Sequence, residues 1–186
     1  MNGTNIANTI AVFCGSKPGE NPAFETDAIA LGTALAENGY RIIYGGGNKG
    51  LMGAVANAAL GSGGYITGVI PEVLVKWERQ HDTLSELIVT ENMHHRKQTM
   101  YERCEAAVVL PGGFGTLDEL FEMLTWNQLQ IHDKRILLLN TAGFYFHLME
   151  HLRNMQEMGF LYEETTKSIS LCNTVGEVLD RLQLKR

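Results

Sequence analysis

Short apolar segments alternate with longer amphipathic segments along almost the whole chain. Residues 106–110 read AAVVL and residues 136–139 read ILLL, so neither segment has a polar face. Strands that are apolar on both faces are typical of parallel sheets covered by helices on both sides. The sequence therefore predicts an α/β fold with an open, doubly wound parallel sheet. At 186 residues, the chain is expected to form a single domain over residues 1–186.

The periodicity divides the chain into strands and helices. We expect strands at residues 9–13, 41–44, 65–70, 86–89, 106–110, 135–139 and 168–171. We expect helices at residues 22–38, 51–60, 93–104, 116–130, 145–158 and 174–182. We expect residues 76–86 to be a longer irregular connection, long enough to cover a ligand site.

Charge and cysteine content exclude several functional classes. Fifteen Lys and Arg against 21 Asp and Glu give a net charge of −6, which argues against nucleic acid or an anionic membrane as a partner. No apolar run is long enough to span a membrane and the first ten residues do not resemble a signal peptide, so we expect a cytoplasmic protein. The three cysteines are far apart and form no CxxC pair, which predicts buried free thiols with neither a disulfide framework nor a cysteine zinc site. We expect no metal and no cofactor.

The strongest ligand motif is PGGFGT at residues 111–116, which follows the apolar run AAVVL. Gly112, Gly113 and Gly115 leave backbone amides open at a helix start, where the helix dipole favours an anion, and the hydroxyl of Thr116 adds a donor. The motif therefore predicts a phosphate cradle. The alternative is a tight strand-to-helix turn in which Thr116 is the N-cap.

Two further loops are expected beside this cradle, because ligands in such sheets bind beyond the carboxyl ends of the strands. Ser16 follows the first predicted strand, and Gly46 and Gly47 follow the second. Gly45, Gly47 and Gly50 also satisfy GxGxxG, which leaves a dinucleotide-binding oxidoreductase as an alternative. That alternative needs an acid about 20 residues onward, and Glu72 is a poor candidate for it.

A cationic residue interrupts an apolar helix face. Positions 93, 96, 100 and 104 follow spacings of three and four residues, and three of them are Met93, Met100 and Cys104. The fourth is Arg96, which must either extend to solvent or meet a buried anion. We favour the anion, with Lys97 as a second positive charge.

Glu119 follows the PGGFGT turn by one helical turn. Its phase directs it away from Leu117, Leu120 and Leu124 and toward the loops, whereas Asp118 is expected to face outward. We expect the helix dipole to hold the pKa of the Glu119 carboxyl low, so that this residue is an anion suited to charge stabilisation or base catalysis. The alternative for these acids is simple complementarity to the helix dipole.

Four segments together resemble the Lonely guy family of cytokinin riboside 5′-monophosphate phosphoribohydrolases, once mislabelled lysine decarboxylases. The segments are GGGNKGLMG at 45–53, MHHRK at 93–97, PGGFGTLDE at 111–119 and TWNQLQIH at 125–132. They cover nearly the whole chain in the family's order. Asp118 stands where the family more commonly has Glu.

The resemblance implies a Rossmann-like homodimer that cleaves the N-glycosidic bond of a nucleoside 5′-monophosphate into free base and ribose 5-phosphate. It also implies that Arg96 and Glu119 are catalytic. The nucleotide contacts that it implies are Glu78, Lys97, Gly113 to Thr116 and Thr125. A non-catalytic nucleotide-binding module remains a further alternative.

The segment 125–132 independently favours a dimer. It presents Trp126, Leu129 and Ile131, which is more apolar surface than one helix face can bury. We therefore expect a second copy of the chain to cover this segment.

Overall fold

Seven strands form one sheet in the computed structural model, which describes residues 8–75, 81–161 and 169–184. The strands are β1 Thr9–Phe13, β2 Arg41–Tyr44, β3 Ile66–Pro71, β4 Glu86–Thr90, β5 Ala106–Val109, β6 Arg135–Leu139 and β7 Ile169–Cys172. Their order across the sheet is β4-β3-β2-β1-β5-β6-β7. Every neighbouring pair is parallel; Ile10 of β1, for example, aligns with Ile42 on one side and Ala106 on the other.

Helices cover both faces of the sheet. They are α1 Ala23–Glu37, α2 Gly50–Gly61, α3 Glu72–Val75, α4 Met93–Glu102, α5 Phe114–Gln128, α6 Phe146–Glu157 and α7 Val175–Gln183. Side chains of α1, α2 and α7 pack with one core, and those of α4, α5 and α6 with the other. The prediction of a doubly wound parallel α/β sheet is therefore confirmed.

Strand β5 shows why this sequence requires both layers. Val108 belongs to the core under α1, α2 and α7, and Val109 to the opposite core, and both are completely buried. Successive side chains of a strand point to opposite faces, so an all-apolar strand is stable only where both faces are covered.

Several helix boundaries differ from the sequence prediction by one or two residues. Helix α5 begins at Phe114 rather than Thr116, because Gly113 adopts an extended conformation and acts as the N-cap without a side-chain hydrogen bond. The alternative with Thr116 as N-cap is therefore wrong. Helix α4 ends at Glu102, and Cys104 lies beyond the helix but is still buried. The short helix α3 was not predicted.

The strand order reverses at β1, which places a crevice at the carboxyl ends of β1 and β5. The chain first builds β2, β3 and β4 on one side of β1 and then returns to its other side with β5. The amide of Gly15 donates to the carbonyl of Pro111 over 3.0 Å, and the amide of Leu110 donates to Phe13 over 2.9 Å. These bonds fix the loops after β1 and β5 side by side at the position where doubly wound sheets bind ligands.

The three cysteines, Cys14, Cys104 and Cys172, are buried free thiols, as predicted. Within the described ranges, none of the helices is both long and apolar enough to cross a membrane.

Candidate active site

A cleft of about 500 Å³ opens at this edge of the sheet. Its volume lies within the usual range for a small-molecule site, about 300–1,000 Å³. Three loops predicted to share one edge contribute to it, through Gly15 and Ser16 after β1, Gly45 after β2 and residues 111–116 after β5. Arg96 and Glu119 also line the cleft, so most of the predicted site residues are brought together.

The glycines of the 111–116 turn have different roles. A Cβ on Gly112 would lie 2.1 Å from Thr116 Oγ1 and 2.9 Å from the amide nitrogen of Gly15, so Gly112 is required for packing. A Cβ on Gly113 or Gly115 would meet no atom within 4 Å. Because these two residues have no side chain, a ligand can approach the first amides of α5, which have no acceptor within the helix.

Gly46 and Gly47 are not among the residues that line the cleft. The Gly46 carbonyl accepts a hydrogen bond from the His81 amide over 3.1 Å, and the Gly47 carbonyl accepts one from the Tyr44 hydroxyl over 3.2 Å. Gly46 also has a positive φ of 79°. Of this loop, the cleft lining includes Gly45, the first glycine of the GxGxxG match.

The central feature of the cleft is a buried ion pair between Arg96 of α4 and Glu119 of α5. Arg96 Nη1 lies 2.9 Å from Glu119 Oε1, and each side chain is 9% exposed. Arg96 Nε donates to the carbonyl of Val69 over 3.0 Å, which fixes the plane of the guanidinium. The predicted buried anion opposite Arg96 is thus a side chain of the protein itself.

Burial raises the pKa of the Glu119 carboxyl above its ordinary value, and the Arg96 guanidinium opposes that shift. The expectation that the helix dipole holds this pKa low is therefore wrong, because removal of the carboxylate from water outweighs favourable charges nearby. Asp118, in contrast, is 56% exposed, as its helical phase predicted.

Lys97 points to the outer side of α5 and is not part of the cleft lining among the described residues. Its ammonium lies 3.0 Å from Asp118 Oδ2 and 2.7 Å from Glu122 Oε2. Burial lowers the pKa of Lys97, but the hydrogen bonds to Glu122 and Asp118 outweigh it and raise that pKa overall. This side chain is a cation that links α4 to α5.

Tyr101 strengthens the same link between α4 and α5. Its buried hydroxyl donates to the Glu119 carbonyl over 3.1 Å and lies 3.1 Å from Glu122 Oε2. The backbone of Glu119 is therefore fixed from α4, close to the point where its carboxylate receives Arg96.

Thr125 is a further predicted contact residue that is absent from the cleft lining. Thr125 lies on the exposed face of α5, where its hydroxyl donates to the carbonyl of Phe121. Glu78 lies outside the described residues. Their predicted nucleotide contacts remain predictions.

The sequence interpretation missed the apolar wall of the cleft. Phe24 and Phe144 line the cleft with their ring centroids 5.8 Å apart, and Phe144 is 43% exposed. A hydrogen bond from the Thr141 hydroxyl to the Asp27 carboxylate ties the loop after β6 to α1. The position of Phe144 beyond the carboxyl end of β6 was the available signal, since loops at that edge face the ligand.

Other apolar and cationic groups complete the lining. Met93 at the start of α4 is 41% exposed, and Phe114 at the start of α5 is 93% exposed. Lys17 brings a second cation to the cleft. The described part of the chain contains no cluster of three or more His, Cys, Asp or Glu that could hold a metal ion.

The dinucleotide alternative receives no support from Glu72, which is an exposed residue of α3 rather than a strand-end acid beside the cleft. Of the three glycines in the GxGxxG match, Gly50 has a positive φ, and so does Gly46, which lies between the first two. Known relatives do not favour that alternative either.

Comparison with protein families gives a match over residues 52–182 to the family described as "Possible lysine decarboxylase". The cytokinin riboside 5′-monophosphate phosphoribohydrolase of Rhodococcoides fascians is 40% identical over 168 residues, covering 90% of this chain and 85% of that protein. An enzyme of the same name from Arabidopsis thaliana is 38% identical over 174 residues, covering 94% of this chain and 82% of its own length.

Solved structures share the fold at lower identity. The molybdenum cofactor binding protein of Rippkaea orientalis has a TM-score of 0.73 at 20% identity, with 94% of both chains covered. The molybdenum cofactor carrier protein of Chlamydomonas reinhardtii has a TM-score of 0.72 at 20% identity, covering 94% of this chain and 95% of that one. These structures support the architecture, and the sequence relatives show that the chain belongs to the family of cytokinin riboside 5′-monophosphate phosphoribohydrolases.

Proposed function

We propose that this protein hydrolyses the N-glycosidic bond of adenosine 5′-monophosphate or its N6-modified forms, as in cytokinin activation. Water and the nucleotide give the free base and ribose 5-phosphate, and the reaction requires no cofactor. The observation that carries the proposal is the buried Arg96–Glu119 pair in a cleft whose neighbouring turn offers open amides to an anion.

The phosphate site that we propose is the amino end of α5. The amides of Phe114, Gly115 and Thr116 begin that helix, and access to them past Gly113 is open. Backbone donors and the helix dipole both favour a phosphate there. Lys17 adds positive charge to the same cleft.

Glu119 is the group that acts on the sugar. Cleavage of the bond at C1′ passes through a sugar with oxocarbenium character, so a carboxylate beside C1′ stabilises the developing positive charge and can also accept a proton from the attacking water. The described residues that line the cleft include one carboxyl group, Glu119. The thiol of Cys14 also lines the cleft, but burial and the charge of Glu119 raise its pKa, so it stays neutral.

Arg96 keeps Glu119 charged and oriented. An arginine does not release its proton at working pH, so it cannot serve as a general acid. Its Nη1 is committed to Glu119 and its Nε to Val69, which leaves Nη2 for a phosphate or sugar oxygen of the substrate. One guanidinium thus holds the catalytic carboxylate with one edge and faces the substrate with another.

We also propose a cytoplasmic homodimer. Leu129 is 64% exposed and Ile131 is 60% exposed just beyond the end of α5, whereas Trp126 packs edge-on against Tyr101 with a centroid distance of 5.2 Å. Two exposed aliphatic side chains at one helix end form a surface that a second copy can cover. In such a dimer, Thr125 would reach nucleotide only in the partner's cleft.

The test is incubation with AMP and several N6-substituted AMPs, followed by chromatography for free base and ribose 5-phosphate. We expect base release by the wild-type protein and a loss of about 10²-fold or more in rate for Glu119→Gln, which keeps the shape but removes the charge. Asp118→Asn is the matched control and should lose far less.

Two outcomes would contradict the proposal. Tight AMP binding without base release would identify a nucleotide-binding module instead of a hydrolase. Equal losses in Glu119→Gln and Asp118→Asn would show that the reacting carboxylate was assigned wrongly.

A further inference from the structure

Gly45 lies directly against the guanidinium of Arg96. A Cβ on Gly45 would stand 2.2 Å from Arg96 Nη2, with Met52 Sδ next at 3.2 Å. The φ of Gly45 is not positive, so the backbone here does not itself demand glycine. What excludes a side chain at this position is the space that Arg96 occupies.

Arg96 cannot move away from such a side chain without losing its own contacts. Its Nε donates to the Val69 carbonyl over 3.0 Å and its Nη1 donates to Glu119 over 2.9 Å. Two of the three nitrogens of the planar guanidinium are therefore held in place. Only 9% of the Arg96 side chain is exposed, which leaves little room for another rotamer. A methyl group on Gly45 must therefore displace the guanidinium from Glu119, from Val69 or from both.

We propose that Gly45 is a positioning residue for the reaction, acting through Arg96: its bare Cα gives the guanidinium the space to hold Glu119 while Nη2 faces the cleft. At this position of the glycine motif, the missing side chain makes room for an arginine and not for a phosphate. The kinetic part of this inference rests on the function proposed above, and the structural part does not.

The first experiment compares Gly45→Ala with wild type in base release from AMP. We expect kcat to fall by about 10²-fold, since a displacement of about 1 Å in a catalytic group has effects of that size. Gly61→Ala is the matched control, because Gly61 ends α2 without positive φ and a Cβ there meets no atom within 4 Å. It should leave kcat and KM unchanged.

The second experiment is a cycle with Arg96→Ala. If Gly45 acts only through the guanidinium, adding Gly45→Ala to Arg96→Ala should change kcat and the melting temperature no further. Losses that simply add in the double variant would overturn the inference. If Gly45→Ala does not fold alone, folding restored by adding Arg96→Ala supports the inference. A double variant that fails to fold although Arg96→Ala alone folds contradicts it.

The third measurement does not depend on activity. Titration of the Glu119 carboxyl by carbon-13 NMR, assigned with Glu119→Gln, should give a higher pKa in Gly45→Ala than in wild type. The charges that act on Glu119 are Arg96 and Lys97, which lower its pKa, and Asp118, which raises it; only the Arg96 contact changes in Gly45→Ala.

An unchanged pKa in Gly45→Ala would refute the role of Gly45 even if AMP is hydrolysed. If no nucleotide is hydrolysed, the proposed function fails, and the titration and melting cycle still decide whether Gly45 positions Arg96.

Discussion

The buried Arg96–Glu119 pair should cost stability when either partner is removed alone but not when both are replaced. Each side chain is 9% exposed, so Arg96→Met leaves a buried carboxylate and Glu119→Leu leaves a buried guanidinium. Removal of one member of a buried pair typically destabilises a protein by about 3–5 kcal/mol. We expect a loss of that size in each single variant at neutral pH.

The loss corresponds to a measurable melting shift. At about 2.1 cal/mol/K per residue, 186 residues give an unfolding entropy of about 0.4 kcal/mol/K, so 3–5 kcal/mol lowers the melting temperature by about 8–13 °C. The double variant Arg96→Met with Glu119→Leu has no buried charge at this site and regains apolar contact, which stabilises the folded state. This gain is opposed by a cost of about 1–3 kcal/mol, because the Val69 carbonyl is left without its hydrogen-bond donor. We expect the double variant to melt within about 5 °C of wild type.

Differential scanning calorimetry at pH 7 and pH 5 supplies the assay, and the pH dependence supplies a second criterion. Without Arg96, the folded-state pKa of Glu119 rises further above its unfolded value, so the native state is favoured at low pH and loses stability as pH rises through that pKa. The deficit of Arg96→Met should therefore shrink from pH 7 to pH 5. The deficit of Glu119→Leu, which has no carboxyl at this site, should not shrink in this way.

A double variant that loses as much as the two single variants combined would refute this reasoning. The ion pair would then be a source of net stability, and its presence would not by itself point to chemistry.

Three other outcomes are expected. Adenosine should be poorer than AMP by at least about 10² in kcat/KM, because the phosphate contributes several charge-assisted hydrogen bonds; equal values in steady-state assays would remove the phosphate cradle. Because burial raises the pKa of Glu119, kcat/KM should fall with decreasing pH at values above the ordinary glutamate pKa of 4.5, and Arg96→Met should move that fall to higher pH in a pH-rate profile. Leu129→Asp should give a monomer by light scattering while Ile29→Asp, at an exposed residue of α1, should not.

The strand pattern was predictable because it depends on local composition. The predicted limits of β1, β2 and β6 agree with the structure, since an apolar run bounded by polar or glycine residues has only one way to be buried in a parallel sheet. The buried ionic contact of Arg96 was also predictable, because a charge on an apolar helix face requires a partner of opposite charge.

Depth of burial and the choice of partner were not predictable. The pKa of Glu119 depends on how much water the assembled layers remove, which no window of sequence contains. Lys97 is adjacent to Arg96 in the chain but binds Asp118 and Glu122 on the outer side of α5, because neighbouring helical residues point about 100° apart. Phe144 is a large apolar residue of the kind usually buried in a core, yet it is partly exposed at an open edge of the sheet.

The apolar wall of the cleft and its reacting groups are built from separate parts of the chain. Phe24 and Phe144 belong to α1 and the loop after β6, joined through Asp27 and Thr141, whereas the ion pair belongs to α4 and α5. We therefore expect substitutions of Phe24 or Phe144 to change which ligands fit the cleft while the charged pair keeps its geometry. Selection or engineering can accordingly diversify base preference in such a scaffold by altering a few aromatic side chains, without rebuilding the chemistry beneath them.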